Sequence, residues 1–415
     1  MRKTILILAL AVAVVLFTFA AARRRAVAAP EPPTFNKEVV RILQENCQSC
    51  HRPGDIAPFP LISYNDAVAM ATQIKIMTQL RKMPPWKPAE GAGDFVGVRR
   101  LSQRDINTLT QWVDAGMPKG RPEDLPPPLE AKGDWVLGQP DLVLSMPKPF
   151  TPPFDRDEYR CFSIPVPSAN DLWISTIDFR PGDRATVHHI VQYLDLTGAS
   201  AKLDKDGSGF TCFGGPLVDD AEVVGAWSPG ARPVPLPEGT AVRIPKGARI
   251  LMQVHYHPHF GKVGVDQTAV GLYFAKTEVK KQLRYDAVYN TRLFIPAGAA
   301  NQKVEASATL DADIEIVSIY PHMHLLGQRM RVDATLPDGT VVPMINIPQY
   351  EFQWQGSYVY RSPVKLPRGT TLHIEAWYDN SDNNLQNPNS PPKDVRWGEA
   401  STDEMCIALF GYTTS

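Results

Sequence analysis

Two periodicities divide the chain. Between about Thr34 and Lys119 apolar residues recur at helical spacing. Over Asn36 to Asn46, Val39, Val40, Ile42 and Leu43 gather on one face, which predicts a short amphipathic helix. A second helix is predicted from Asn65 through Ile74 and Leu80, stopping before Met83-Pro84-Pro85, where proline removes helix donors. A third starts at Ser102, with Asp105 three residues on as an approximate capping box. Leu101 and Ile106 suit its hydrophobic staple, and Gly116 suits its end.

From Pro122 to Asp134 the chain is rich in proline and acidic residues, as a linker would be. Beyond it the period changes to two. Ile250, Met252, Val254 and Tyr256 form one apolar face opposite Gln253, His255 and His257. Ile314, Ile316, Ser318 and Tyr320 alternate with Glu315, Val317 and Ile319, and Leu372, Ile374 and Ala376 follow the same rule. Many short strands between Gly and Pro turns predict β-sandwiches. About 280 residues exceed one sandwich, so two are expected, joined near Lys276–Gln282.

The 415 residues are enough for two or three domains. The expected division is a small all-α domain over residues 30–121, a linker over 122–134, and two antiparallel β-sandwich domains over 135–279 and 280–415. Arg2, Lys3 and the apolar run Thr4 to Ala22 make residues 1–29 a cleaved export signal or a retained membrane anchor. Either reading places the remainder outside the cytoplasm, in the periplasm. With 43 Lys plus Arg against 44 Asp plus Glu, the net charge of −1 gives no reason to expect a nucleic-acid partner.

Cys47-Gln48-Ser49-Cys50-His51 is the attachment pattern of a c-type haem: two thiols add to the vinyl groups and place the adjacent imidazole under the iron. Met83, in its proline-rich loop before the last helix, is the favoured sixth ligand over Met117, Met70 and Met77. With CHRPGDIAPF, MPPW and QWVDAGMP, this stretch resembles small bacterial cytochrome c domains.

Seven of the nine histidines fall in three groups: His188 with His189; His255, His257 and His259; and His322 with His324. Residues two apart on a strand share a face, so His322 and His324 can approach one ion. Adjacent His188 and His189 can do so only at a strand end or a bulge. Imidazole alone does not name the metal.

In this order TVHHIV, LMQVHYH, PHMHLLG and STDEMC resemble the ligand motifs of the copper type II, ascorbate-dependent monooxygenases, the family of peptidylglycine and dopamine hydroxylases. DEYRCFSIPVP, GAWSPGARP, LPEGTAVRIPKG and SPVKLPRGTTLHIEAWY extend the likeness from about Leu142 to Ser415. The resemblance implies two jelly-roll sandwiches carrying two copper ions. One would be held by His188, His189 and His255. The other would be held by His322, His324 and Met405, whose thioether suits Cu(I) and at which O2 is activated for hydroxylation of a C–H bond. His257 and His259 would stand behind the ligands or at the surface, and His373 would be structural.

The chain also departs from that family. Tyr320 stands where amidating members carry a substrate-binding arginine, Leu409 where they carry a tyrosine, and Ile407 where they carry an amide. The implied substrate is therefore a small organic molecule less polar than a peptidylglycine. The resemblance also implies a Cys161–Cys212 disulfide and a free Cys406, because Ala376 replaces the latter's family partner. Together these readings describe an exported haem- and copper-containing monooxygenase. The c-type haem would deliver electrons to the copper sites, and a reductant or redox partner protein would supply them. The competing reading is an electron-transfer or copper-binding protein on the same scaffold.

Overall fold

The computed structural model describes residues 31–53, 57–129, 135–257 and 263–414. The expected signal or anchor, His259 and the end of the expected linker lie outside those residues. Among the described residues no helix is long and apolar enough to cross a membrane.

The helical segment follows its sequence pattern with one difference. A π-helical turn at Phe35–Val39 leads into α1 (Val40–Asn46), and α2 (Tyr64–Ala69) and α3 (Ala71–Gln79) follow, before α4 (Gln103–Asp114). The single helix expected from Asn65 is broken at Met70, whose φ of −111° and ψ of 13° leave the helical region. Ser63 caps α2 in a full capping box with Asp66. Ser102 Oγ accepts from the Asp105 backbone at 3.1 Å, and Gly116 ends α4 at a φ of +81°, where a side chain would be strained. Val39, Leu43, Leu109 and Trp112 form the centre of this small core.

Among the described residues twenty strands follow. The first ten are β1 (Leu142–Ser145), β2 (Glu158–Pro165), β3 (Leu172–Arg180), β4 (Val187–Asp195), β5 (Phe210–Thr211), β6 (Glu222–Trp227), β7 (Thr240–Ile244), β8 (Arg249–Tyr256), β9 (Ala269–Phe274) and β10 (Lys281–Gln282). They form two sheets, ordered β1-β9-β3-β7-β10 and β5-β2-β8-β4-β6. Ile174, Val242 and Leu272 of one sheet meet Phe162, Ile190 and Val254 of the other in a shared core.

The second ten are β11 (Arg284–Tyr289), β12 (Phe294–Ile295), β13 (Gln302–Thr309), β14 (Ile314–His322), β15 (Gly327–Thr335), β16 (Val341–Ile347), β17 (Tyr358–Leu366), β18 (Thr371–Tyr378), β19 (Val395–Arg396) and β20 (Ile407–Thr414). Sheets ordered β11-β20-β14-β17 and β13-β18-β15-β16 enclose a second core around Ile316, Ile319, Val332, Ile374 and Phe410, with β12 and β19 as a separate pair. The fold is thus mostly β, in layered sheets whose strands pair antiparallel except β7 with β10.

Two strands depart from simple alternation, and both departures bear on the histidines. On β8 both faces are buried, because Gln253 turns toward Cys212, whose carbonyl it meets at 2.9 Å, and His255 is fully enclosed. On β14 the register shifts between Ile316 and Ser318, leaving Val317 as the bulged residue. The core face therefore runs Ile314, Ile316, Ile319, and Val317 joins the other core. Ser318 and Tyr320 consequently leave the apolar face expected for them; they line a cavity of about 320 Å³ shared with the first pair of sheets.

A further feature has no counterpart in the sequence pattern. The stretch after Met83 leaves the helices and lies along the second pair of sheets. Phe95 is 3% exposed in the second core, its ring 4.9 Å from that of Tyr360. Backbone hydrogen bonds run from Ala89 to Asn346, from Val96 to Val359 and from Arg361 to Asp94, and Lys87 pairs with Glu351 at 2.9 Å.

Candidate metal centres

The first cluster is built by a bulge. The register of β4 against β8 shifts between Val187 and His189, so that His188 and His189 turn to the same region. Their Nδ1 atoms are 3.2 Å apart. His255 is the cross-strand partner of His189, and its Nδ1 lies 3.4 Å from that of His189. One nitrogen of each imidazole falls within 4.8 Å of the other two, an arrangement able to hold one ion.

Asp157 orients this group. Its Oδ2 accepts from His255 Nε2 at 3.0 Å, which leaves the His255 Nδ1 lone pair facing its neighbours. Its Oδ1 meets His257 Nδ1 at 2.7 Å, so His257 stands behind the cluster. Burial raises the Asp157 pKa, but the two imidazole hydrogen bonds outweigh it and hold the carboxyl well below its usual range. Burial lowers the pKa of His189 and His255. Tyr159 stacks on His255 with ring centroids 4.1 Å apart.

The second cluster forms where β14 ends. His322 is its last residue, His324 follows two on, and their ring centroids are 5.0 Å apart. Each Nδ1 is engaged: His322 with Gln355 Oε1 at 2.6 Å, and His324 with the Asp403 carbonyl at 3.2 Å. Both Nε2 atoms are left as the donors for a metal. The Glu404 carboxylate ties in Met405, because its Oε2 accepts from the backbone N–H of His324 at 2.8 Å and of Met405 at 3.2 Å. Burial pushes the Glu404 carboxyl up to about 8, against the pull of those backbone donors. Burial also brings His322 down to about 4 and His324 to about 3. The cluster therefore offers neutral nitrogens, and Met405 is buried and tied through its backbone to the same carboxylate as His324; a thioether ligand would suit a soft ion.

Phe352 lies between the clusters. Its ring stacks on His188 at 4.9 Å and meets His324 edge-on at 5.9 Å. Sequence reasoning gave no role to Phe352, Asp157, Gln355 or Glu404, although Asp157 opens DEYRCFSIPVP and Glu404 lies within STDEMC. In a third group, Glu305 is exposed and His373 and Glu375 are half-buried, and Lys303 already pairs with both carboxylates. His373 Nδ1 meets Ser307 Oγ at 2.7 Å, a structural contact.

The remaining expected residues are placed as follows. Cys161 and Cys212 are disulfide-bonded, and Cys406 is free and buried. Cys47, Cys50 and His51 form a turn after α1, with both thiols free and His51 Nδ1 held at 3.1 Å from the Phe59 carbonyl, which leaves Nε2. Cys50 lines a cavity of about 810 Å³, and Met83 lines a different one with Trp86, Leu101 and Pro348.

Residues 283–414 match a family model described as the C-terminal domain of copper type II ascorbate-dependent monooxygenases. Peptidyl-glycine alpha-amidating monooxygenase A of Xenopus laevis is 31% identical over 123 residues, 29% of this chain and 12% of that protein. Peptidylglycine alpha-amidating monooxygenase of Rattus norvegicus is 32% identical over 124 residues, with the same two shares. The chain thus spans about 12% of the length of these relatives. Among solved structures, the major capsid protein P2 from Bacteriophage PM2 aligns with a TM-score of 0.28 at 8% identity, over 66% of this chain and 97% of that one. Residues 283–414, which include His322, His324 and Met405, are thus similar to the C-terminal domain of the copper type II, ascorbate-dependent monooxygenases.

Proposed function

We propose that the protein is a periplasmic, haem- and copper-dependent monooxygenase that hydroxylates a C–H bond of a small organic substrate with O2. The observation that carries this reading is the pair of unlike donor sets meeting at Phe352, one of three imidazoles and one of two imidazoles with Met405 alongside. His188, His189 and His255 would hold one copper, and His322, His324 and Met405 the other. Cys47 and Cys50 would carry haem c, and His51 and Met83 would hold its iron. When bound, the copper ions supply O2 activation and the haem supplies single electrons drawn from a reductant or partner protein; R–H, O2, two electrons and two protons give R–OH and water.

The chain's own groups prepare these sites. Asp157, Gln355 and the Asp403 carbonyl fix which imidazole nitrogen faces inward. Burial keeps the imidazoles neutral and excludes bulk water. On the proposed substrate side, Tyr320 and Leu409 are cross-strand partners and line the cavity of about 320 Å³ with Trp86, Trp354 and Tyr358. That side of the wall is largely apolar, and Arg99 and Arg232 line the cavity as well.

The proposed domains are a cytochrome c domain over residues 30–121, a linker over 122–134, and copper sandwiches of jelly-roll type over 135–279 and 280–415. The burial of both clusters around Phe352 favours a second reading, a copper-binding electron-transfer protein without hydroxylation. Labelled O2 separates them. Copper-loaded, reduced protein should place the label in a product, and Met405→Ala should abolish that while leaving haem attachment intact. Unchanged turnover in that variant would remove the proposed oxygen site.

A further inference from the structure

The cavity of about 320 Å³ lies where three parts of the chain meet. Trp86 and Arg99 reach it from the stretch between α3 and α4, and Arg232 from the stretch between β6 and β7. Tyr320 and Leu409 reach it from β14 and β20. Aromatic rings make up much of the wall, with Trp86 and Tyr358 edge to face at 5.3 Å. The volume is at the low end of the roughly 300–1,000 Å³ usual for small-molecule sites, which suits one ring or a short chain.

Its charge is uncompensated. Arg99 and Arg232 line it, and no carboxylate does among the described residues. Arg99 donates to the Gly230 carbonyl at 2.7 Å and to the Pro85 carbonyl at 3.2 Å, which leaves part of its fork of donors uncommitted. Neither arginine has an acidic partner among the described residues. Burial lowers the Arg99 pKa and the like charge of Arg232 lowers it further, so an anion in the cavity would relieve both. A guanidinium beside an aromatic wall suits a carboxylate with an apolar body.

We propose that Arg99 and Arg232 select the substrate, a small organic acid whose carboxylate they meet while the aromatic wall takes its ring or short apolar chain. This rests on the reading of the cavity as the substrate side. Both arginines fall outside residues 283–414, and Arg99 belongs to the helical segment. That segment therefore completes the substrate site.

The test reads binding rather than turnover, by calorimetric titration of the full chain. The probes are benzoate, 3-phenylpropionate and hexanoate, each beside its uncharged amide. At least one acid should bind about 10- to 100-fold more tightly than its amide, the range for charged hydrogen bonds. Arg99→Gln should remove about tenfold of that preference without changing amide binding, and Arg99→Lys should restore part of it. Arg232→Gln, at an exposed side chain, should weaken the acid alone by a smaller factor and leave the fold intact. Arg368→Gln, in the β17–β18 turn, should change nothing. Leu409→Trp, which fills the cavity from the opposite wall, should block acid and amide alike. Failure of all three acids to bind overturns the inference. If Leu409→Trp blocks binding but acid and amide bind equally, or both arginine-to-glutamine variants bind the acid as before, the carboxylate inference is wrong and the substrate-side reading stands. If Leu409→Trp leaves binding unchanged, the substrate-side reading falls, and this inference with it.

Discussion

Gln355 holds the second cluster from behind, and replacing it with leucine tests whether that support sets metal affinity. The side chain is 6% exposed and has three engagements: Oε1 accepts from His322 Nδ1 at 2.6 Å and from the Tyr320 hydroxyl at 3.0 Å, and Nε2 donates to the Phe352 carbonyl at 3.0 Å. Leucine keeps the volume and removes all three. The His322 N–H is then buried without an acceptor, a cost of about 1–3 kcal/mol for such a group. The imidazole can relieve it by swapping tautomers or turning, and either move spoils Nε2 as a donor. Loss of a hydrogen-bonding partner behind a metal-bound histidine lowers affinity about 10- to 100-fold, or roughly 1.4–2.7 kcal/mol. Gln355→Glu retains the acceptor and should stay near the original affinity. Titration of Cu(I) against a competing chelator reads both sites in one sample. The three-imidazole site, none of whose nitrogens touches Gln355, is the internal control. A folded Gln355→Leu protein that binds its second copper as tightly as before would show that Gln355 does not position His322.

Four other outcomes follow from the same geometry. Asp157→Ala should weaken only the first copper site, by about 10- to 100-fold in the same titration, because His255 loses the partner that fixes its tautomer. Reducing the Cys161–Cys212 disulfide, which closes a separation of 51 residues, should cost about 4 kcal/mol in denaturant unfolding. The metal-free protein should lose stability on acidification. His322 and His324 have folded pKa values depressed below 6.5, so their contribution is complete above about 6.5 and is lost as pH falls toward 4, up to roughly 3 kcal/mol from His322 alone. Copper should move that loss to lower pH in thermal melts. Phe352→Ala should destabilise the fold by about 3–5 kcal/mol, the usual cost of a buried phenylalanine, which chemical denaturation would measure.

What the sequence made legible was local. Ser102, Asp105 and Gly116 bound a helix by chemistry that needs only neighbours along the chain. Period two placed His322 and His324 together, and adjacency alone required a strand end or a bulge at His188 and His189, of which the bulge forms. The partners that orient those rings were not legible. Asp157 reaches His255 across 98 positions and Gln355 reaches His322 across 33, so no periodicity links them. The Val317 bulge was hidden for another reason: Glu315, Val317 and Ile319 read as one face until one residue is looped out, and then Ile319 belongs to the core. On β8 the alternation marked a polar side but not its burial, because sequence cannot show the Cys212 loop that covers it.

The stretch from Lys87 to Val96 turns a question of reach into one of rigidity. A redox module on a flexible tether would sample many orientations, and its encounter with the copper sites would depend on tether length. Here the chain between the helices is itself bonded to the second pair of sheets, with Phe95 inserted into their core. The helical segment is thus mounted on the sheets through this inserted loop. It behaves as a fixed bracket rather than a swinging arm. Lengthening the linker after residue 122 should accordingly leave its position unchanged, whereas Phe95→Asp should release it.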